Sequence, residues 1–511
     1  MSAKLVSPKH RRRVVEATAG VVASTTPAEL AAVAGEADRR GSVSLGREAW
    51  GRSVMRALRA SYDAAQTGRE NERHWAAADQ LSANAANSPE VRRVLRARAR
   101  YEVANNSYAR GIVNTLADYV VGTGPRLQAG TNTDEDKIVE REFTRWMRAA
   151  GLARKLWTMR VSQAESGETF ALLATDHRLA TRVKLDVRLL EADQIATPWS
   201  DYRSLTDPNH VDGIDLDAAG VPTHYRVLRR HPGDTRYATP SPEADRVPAA
   251  SVLHLFRAER PGQARGIPEI TAALPMFAML RRYTLAVLVA AENAAAVGGM
   301  VETQQSPEDI DEVEPLDEFD HERGTWMALP EGWVAKQLKA EQPVTTYGDF
   351  KSEVLNEVAR CLSMPFNIAA GNSSKYNYAS GRLDHQAFYR RVTIDRQDIE
   401  IAVLDRVFEA WLDEAAKISG YLPQRWRTID RPGHQWFWPG LEHVDPSKEA
   451  NAQETRLRSG TTNLAIESAR AGRDWEEDMR QRAREIELAR ELGVPVAGEQ
   501  PAQAAGQEDQ P

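Results

Sequence analysis

The segment of 19 residues from Val252 to Ile270 constrains the fold of this chain more than any other. It begins with the apolar run Val252-Leu-His-Leu-Phe256, which is typical of a buried strand. Pro261-Gly262 then predicts a turn, and a long helix is predicted from about Ile267 to Gly298. Within that helix, Pro275 is expected to kink the second turn or to end a separate short helix. The segment therefore predicts a fold that combines strands with long helices.

Short apolar runs upstream of this segment predict further strands. They are Thr169–Ala174, Val183–Leu190, Ile214–Leu216 and His224–Leu228. Asp217-Ala-Ala-Gly220 has the composition of a hairpin turn between two of them. No regular strand and helix alternation of a dinucleotide fold is present, so we expect an α+β domain with an antiparallel sheet.

Helical patterns dominate the rest of the chain. Ser88-Pro89 is a typical helix start, with a capping serine and a proline at the first position. Apolar spacing and end signals predict helices over Tyr108–Gly122, Asp134–Ala150, about Phe350–Leu362, about Gly381–Ile418, and from Asp445-Pro446 to about Leu492. The predicted fold class is α+β, predominantly helical.

Composition excludes several classes of function. The formal net charge of −7 disfavours a sequence-specific DNA-binding protein, because such proteins present basic surfaces to phosphate. A single cysteine, Cys361, excludes an internal disulfide and a cysteine-rich zinc site. The apolar stretch Tyr283–Val301 contains Glu292 and Asn293, so we expect no membrane partner.

The sequence carries no recognisable catalytic or cofactor-binding motif. It lacks the glycine-rich phosphate loop that ends in Gly-Lys-Ser/Thr, and it lacks a Gly-x-Ser-x-Gly nucleophile motif. The 11 histidines are so dispersed that no two lie within four residues of each other, which disfavours a helix-borne metal pair. We therefore expect no enzyme activity, no catalytic residue, no metal and no cofactor.

The most acidic stretch runs from Glu302 to Asp320, with nine carboxylates and no lysine or arginine. A solvated loop explains such a run without any function. After it, Trp326–Leu329 and Trp333–Leu338 are predicted to form a small hairpin.

Several motifs in a shared order resemble those of portal proteins of lambda-type tailed bacteriophages. They are Arg96–Arg100, Asn105-Asn-Ser-Tyr-Ala109, Val121-Gly-Thr-Gly124, the Val252–Ile270 segment, Asn377-Tyr-Ala-Ser-Gly-Arg382, Trp436-Phe-Trp-Pro439 and Asp445-Pro-Ser-Lys-Glu449. Ser107 stands where the family commonly has proline. The resemblance covers roughly residues 50 to 493.

The resemblance implies a portal fold with wing, stem, clip and crown regions. The expected divisions are a flexible N-terminal arm (1–50), the wing (51–266), a stem helix (267–301), the clip (302–345), a second stem helix (346–366), a tunnel loop (367–380), a long return helix and wing segment (381–446), a helical crown (447–493) and a disordered tail (494–511).

The resemblance also implies a function and a set of partners. A ring of twelve subunits is expected at the portal vertex of the virion capsid, assembled in the host cytoplasm, through which double-stranded DNA is packaged and ejected. Expected partners are the terminase large subunit, head-tail adaptor proteins, the major capsid or scaffold protein, and DNA bound without sequence specificity.

Two groups of candidate site residues follow from the resemblance. The tunnel loop places short polar groups, one cation and one aromatic ring near DNA: Asn372, Ser373, Ser374, Lys375, Tyr376 and Asn377. The clip offers carboxylates to a basic docking partner: Glu308, Asp309, Asp311, Glu312, Glu314, Asp317 and Glu318.

Two other interpretations remain open from the sequence. A capsid adaptor or scaffold protein has the same profile, rich in helices and poor in catalytic motifs. A nuclease would need clustered acidic metal ligands within a regular central sheet.

Overall fold

The computed structural model describes residues 73–130, 133–198, 201, 207–236, 243–295, 299–303, 333–337, 344–374, 376–428, 433–440 and 446–494. The chain divides into two compact units, 1–80 and 81–511. In the first unit only 73–80 are described, with a turn over 73–77. The predicted arm (1–50) lies outside the described residues, as does the predicted tail (494–511) apart from Val494.

Most elements of the second unit are helices. They are α1 Ala83–Ala86, α2 Pro89–Asn105, α3 Ser107–Val121, α4 Asp134–Ala150, α5 Leu152–Ser166, α6 Leu274–Ala295, α7 Val344–Cys361, α8 Phe366–Ala370, α9 Tyr378–Ile399, α10 Asp405–Ala415, α11 Pro446–Arg458, α12 Leu464–Arg470 and α13 Trp475–Leu492.

The helix ends follow local capping chemistry. The Ser88 side chain accepts a hydrogen bond from the Val91 N–H at the start of α2, and Thr133 and Asp136 form a capping box at the start of α4. Gly151 adopts a left-handed conformation that ends α4. The predictions for α2, α3 and α4 are therefore confirmed to within a residue or two.

The strands are short and every pairing is antiparallel. They are β1 Arg126–Ala129, β2 Glu168–Thr175, β3 Leu185–Leu190, β4 His210–Val211, β5 Ile214–Leu216, β6 Pro222–Leu228, β7 Ala244–Pro248, β8 Val252–Phe256, β9 Gly299–Thr303, β10 Trp333–Gln337 and β11 His434–Phe437.

Two sheets organise the β-rich part of this unit. One has the order β3-β2-β8, and the other has the order β4-β5-β6-β7. The predicted turn at Asp217–Gly220 joins β5 to β6, where the Asp217 carboxylate accepts hydrogen bonds from the backbone N–H groups of Ala219 and Val221. The predicted α+β class with antiparallel sheets is confirmed.

The main core joins α3, α4, α5, α9 and α10 around aromatic side chains. Phe143 makes edge-to-face contacts with Phe408 and Trp411 at centroid distances of 5.0 and 5.2 Å. All three side chains are at most 1% exposed. Truncating one such ring to alanine typically costs about 3–5 kcal/mol of folding stability, so this cluster fixes how the helices pack.

The long helix predicted from Ile267 begins later than expected. A 3-10 turn, Thr271–Ala273, precedes α6, which starts at Leu274. Pro275 therefore lies in the first turn. A backbone N–H at this position would find no acceptor within the helix, so proline, which lacks the N–H, is tolerated there. Of the two predicted outcomes, the kink in the second turn is wrong, whereas a separate short helical segment that ends before Pro275 is present as the 3-10 turn.

Helix α6 leaves much of its apolar surface exposed. Within Thr271–Glu292, an 18-residue window has a mean hydropathy of 1.4 and is 22% buried, so by length and composition alone this helix could cross a membrane. Within it, however, Arg281 forms an ion pair of 3.0 Å with Glu102 and lies 4.9 Å over the Tyr101 ring. This part of α6 therefore packs on α2.

The predicted hairpin over 326–338 falls partly outside the described residues, because 326–329 and Leu338 are not among them. Its second strand is present as β10, which pairs with β9. The predicted tunnel loop (367–380) is shorter in the structure, because α8 extends to Ala370 and α9 begins at Tyr378. The loop itself is 371–377.

The return helix predicted over 381–418 is confirmed and is continuous. Helix α9 passes into a π-helical segment, Glu400–Leu404, and then into α10. The Trp438 indole N–H donates to the Glu400 carboxylate within this segment. The chain after Asp445 forms α11, α12 and α13, as the Asp445-Pro446 helix start predicts.

Candidate functional site

The predicted DNA-channel residues lie in the loop 371–377, between the short helix α8 and the long helix α9. Ser373 and Ser374 are exposed, and so are Asn372 and Asn377, while Tyr376 is half-buried. Lys375 lies outside the described residues. The structure thus brings the other five residues together on one short connection.

Both ends of the loop are held by local hydrogen bonds. The Asn372 backbone N–H donates to the Asn367 carbonyl at 3.0 Å, and the Tyr376 N–H donates to the Ser373 carbonyl at 3.1 Å. At the other end, the Asn377 side chain accepts the Ser380 N–H at 2.9 Å and caps α9. The loop conformation is therefore set by the chain around it.

Aromatic packing fixes the base of the loop. The Tyr376 ring stacks on Phe366 of α8 at 6.5 Å with an interplanar angle of 12°. The Asn367 amide lies 3.1 Å from His385 Nε2 on α9, so α8 and α9 are joined beneath the loop. Burial lowers the pKa of His385, which favours the neutral imidazole that can accept this amide N–H.

The hydroxyls of Ser373 and Ser374 are the groups that the loop leaves to solvent. The Asn372 side chain is used locally, because its Oδ1 accepts the Ser374 N–H at 2.9 Å. Short neutral donors and acceptors of this kind form weak, sequence-independent contacts with a phosphate backbone.

The predicted clip cannot be placed in the same way. The seven carboxylates proposed for partner docking lie outside the described residues, and strands β9 and β10 are the described parts of 299–345 that precede α7.

Sequence reasoning missed a buried ionic cluster at the start of β2, which we call the Glu168 cluster. Glu168 is 0% exposed, and its carboxylate accepts hydrogen bonds from Arg265 Nε at 2.9 Å, the Gly266 N–H at 2.9 Å and His254 Nε2 at 3.1 Å. Arg96 completes the cluster through an ion pair with the same carboxylate.

The electrostatics of the Glu168 cluster favour the ionised carboxylate. Burial acts to raise the pKa of Glu168, but Arg265, the His254 hydrogen bond and Arg96 hold that pKa well below 4.5. Burial lowers the pKa of His254. The residues of Val252–Ile270 that stood out in the sequence therefore close a charge network in the interior.

A second buried cluster anchors the helix that follows the loop. Arg160 is 0% exposed at its side chain and pairs with Glu269 at 2.8 Å and with Asp395 of α9 at 2.9 Å. Arg391 and Arg257 also pair with Asp395. Burial acts to raise the pKa of Asp395, but Arg160, Arg391 and Arg257 lower it, so this end of α9 is fixed to α5 by ionised groups.

Among the described residues, one group has the spacing of a metal site. Glu191, Asp193 and His231 place ligand atoms within 4.8 Å of one another. Arg100, however, lies 2.7 Å from Asp193 and 3.5 Å from Glu191. A guanidinium already compensates these carboxylates, so the group is better explained as a surface ion-pair network.

Comparison with known proteins gives a consistent result. A family model described as "Phage portal protein, lambda family" matches residues 68–396. A probable portal protein of Halomonas phage phiHAP-1 is 26% identical over 430 residues, covering 78% of this chain and 81% of the relative. Portal protein B of Escherichia phage lambda is 23% identical over 451 residues, covering 78% and 84%.

Solved structures with some similarity include the virion of a native gene transfer agent particle, at 15% identity and a TM-score of 0.42, covering 78% of this chain and 93% of that one. A phage portal protein of the HK97 family from Corynebacterium diphtheriae matches at 13% identity and a TM-score of 0.31, covering 60% and 89%.

The family match spans well over half of the chain, and the two curated relatives match along most of their length. Members of this family are structural components of the virion and not enzymes. The chain belongs to the lambda family of phage portal proteins.

Proposed function

We propose that copies of this chain close into a ring around a channel for double-stranded DNA, at one vertex of the capsid. Through this channel DNA is packaged and later ejected. The observation that carries the proposal is the exposed apolar face of α6 in a chain of the portal family, because a single subunit leaves that face in water.

The contacts of α6 within the subunit leave part of its apolar surface uncovered. Tyr283 contacts Phe350 of α7 at 4.9 Å, and Tyr347 donates from its hydroxyl to Thr284 at 3.1 Å. Four large apolar side chains of α6 remain more than half exposed: Met279, Leu285, Leu288 and Val289. Burying each against a neighbouring copy would contribute about 1.5–3 kcal/mol before the costs of association.

A second exposed apolar row lies on the helix that follows the loop. Leu383, Ile394 and Ile401 are 67%, 52% and 62% exposed.

We assign α6 and α7 to the stem, residues 51–266 to the wing and 447–493 to the crown. On this assignment the loop 371–377 reaches the channel, with Lys375 touching phosphate.

The acidic residues of 302–345 fit a docking surface for the motor and the adaptors. The nine carboxylates between Glu302 and Asp320 of each subunit, repeated around a ring, would build a dense negative band that basic partner surfaces would offset. We expect the terminase large subunit and the head-tail adaptors to dock there with rates that fall as salt rises. Docking rates that do not change with ionic strength would contradict this part of the proposal.

Negative-stain imaging of the purified chain tests the ring directly. Large rings with a central hole support a portal, whereas small rings or monomers support the capsid adaptor or scaffold interpretation. The double variant Leu285→Asp/Val289→Asp should abolish rings while the subunit stays folded, because both side chains are exposed. Val221→Asp, at a position 56% exposed on a hairpin, is the matched control and should leave rings intact.

The channel assignment has its own test. Lys375→Glu should lower the amount of DNA packaged into particles, because a carboxylate in place of the ammonium group would repel phosphate. Packaging and retention of DNA at the normal level by this variant would remove Lys375 from the channel.

A further inference from the structure

A groove of about 1020 Å³ lies between helices α4 and α13, outside the loop and the clip. Its walls also include Arg126–Gln128 of β1 and residues 472–474 before α13. Most of its lining residues are polar or charged, and arginine is the most frequent of them. The function proposed above uses none of these side chains.

The two helices are tied together at the end where both begin. Lys137 of α4 pairs with Glu476 of α13 at 3.5 Å, and the Gln128 amide lies 3.5 Å from Asp474. Glu140 accepts the Ala129 N–H at 2.7 Å, and burial raises the pKa of this carboxyl. The carboxylates of the groove are therefore concentrated at this end.

Farther along both helices the groove becomes basic. Arg141, Arg145 and Arg148 are spaced by four and three residues on α4, and Arg480 and Arg484 by four residues on α13. Such spacings place side chains on one face of a helix. All five line the same groove and are exposed, so two rows of guanidinium groups face one cavity.

The carboxylates nearby do not neutralise these rows. Arg141 and Arg145 share Glu142, at 3.5 and 3.0 Å, and Arg480 lies 3.6 Å from Glu476. No described carboxylate forms an ion pair with Arg148 or Arg484. The whole lining has eight cations and five carboxylates, so it keeps an excess of positive charge, and an anionic ligand would relieve the remaining repulsion.

We infer that this groove binds the phosphate backbone of DNA, without sequence preference, at a site separate from the channel loop. Guanidinium groups bind phosphate oxygens through paired hydrogen bonds, and their repetition along a helix suits a chain of regularly spaced anions. The inference rests on the proposed function only in that the latter brings DNA to the protein.

The test measures duplex binding by the full chain and by a pair of matched variants. Arg148→Ala/Arg484→Ala removes two groove cations that have no described carboxylate partner. Arg93→Ala/Arg98→Ala removes two exposed cations from α2 and serves as the control. Fluorescence anisotropy with a duplex of about 30 base pairs, followed across a salt series, gives the affinity and its salt slope.

The groove variant should bind duplex about ten-fold more weakly at about 0.1 M salt, and its plot of log affinity against log salt should be less steep by about 2. The control should match the parent chain. An equal loss in both variants would show a bulk-charge effect and overturn the site. Polyglutamate competing as well as duplex would assign the groove to an acidic polypeptide instead.

Imaging the same samples separates this inference from the ring proposal. Both variants should still form rings, because these arginines are exposed and lie away from the apolar face of α6. Normal rings with unchanged DNA binding by the groove variant would refute the groove site and leave the ring proposal intact. Loss of DNA binding in a protein that never forms rings would support the groove and refute the ring.

Discussion

The polar groups of the Glu168 cluster are buried and paired, whereas the serine hydroxyls of the loop 371–377 are exposed. In the cluster, a carboxylate that is 0% exposed receives two arginines, a histidine and a backbone N–H. In the loop, the backbone is satisfied locally and the serine hydroxyls are left to solvent. The difference indicates that the cluster maintains the fold, whereas the loop is available for contact with another molecule.

The largest effect is expected where a buried charge loses its partner. Arg265→Met leaves Glu168 ionised and undercompensated, and removing one partner of a buried pair costs about 3–5 kcal/mol. Ser373→Ala in the loop should change stability by less than about 0.5 kcal/mol. Thermal and urea unfolding measure both. Equal stability of the two variants would end the contrast between cluster and loop.

Glycine substitutions sharpen the same comparison. A Cβ at Gly266 would lie 2.1 Å from the carbonyl oxygen of Gly167, so Gly266→Ala should cost about 3 kcal/mol. Gly371 has φ of +61° with open space around it, so Gly371→Ala should cost only about 1–2 kcal/mol of left-handed strain. The midpoint of urea unfolding ranks the two. A larger loss at Gly371 would contradict the crowding argument.

Acid should weaken the cluster in two steps. The folded state lowers the pKa of His254, so the unfolded chain binds this proton more readily and stability falls as the pH drops below about 6.5. The folded-state pKa of Glu168 also lies below 4.5, so its contribution is present above that pH and is lost as the pH falls further. A difference of one bound proton between the folded and unfolded chain changes the free energy of unfolding by at most about 1.4 kcal/mol per pH unit.

Unfolding midpoints of the parent chain and of His254→Gln, measured between pH 7 and pH 5, check the first step. The variant should show the shallower loss of stability, because its side chain cannot take up a proton. Identical pH profiles would exclude His254 as the titrating group.

A smaller and more local effect is expected at the end of the loop. Asn377→Ala removes the cap of α9 and should cost about 1 kcal/mol, felt locally, because the Ser380 N–H loses its acceptor. Amide hydrogen exchange over the first turn of α9 should accelerate, while exchange in β2 should stay unchanged. Faster exchange in β2 would mean that loop and cluster are coupled.

The sequence predicted those elements whose signals are local. Strands β5 and β8 and helix α4 have the predicted bounds, because the apolar pattern of each element, and Gly151 at the end of α4, lie in or next to the element itself. Helix α5 was missed, since it follows α4 across the single residue Gly151 and buries Arg160 and Gln163 on the face where apolar residues are expected.

Pairings between distant segments could not be read from local patterns. Strand β1 pairs with β11, which lies about three hundred residues away, and Glu168 finds Arg265 across 97 residues. Neither partner carries a signal that identifies the other. The position of the loop was predicted correctly, but its bounds were too wide. The short helix α8 has too few residues to show the periodic spacing of apolar side chains that reveals a helix.

The contact between Gly167 and Gly266 has a consequence for how the protein is made. Strand β2 leaves the ribosome long before Arg265 and Gly266, so for that interval the Glu168 carboxylate lacks both of these partners and has only Arg96, then His254, and solvent. A nascent chain released before residue 265 would carry an unfinished interior and be exposed to proteases and to aggregation. The charge network around Glu168 therefore cannot be completed until synthesis has passed Gly266.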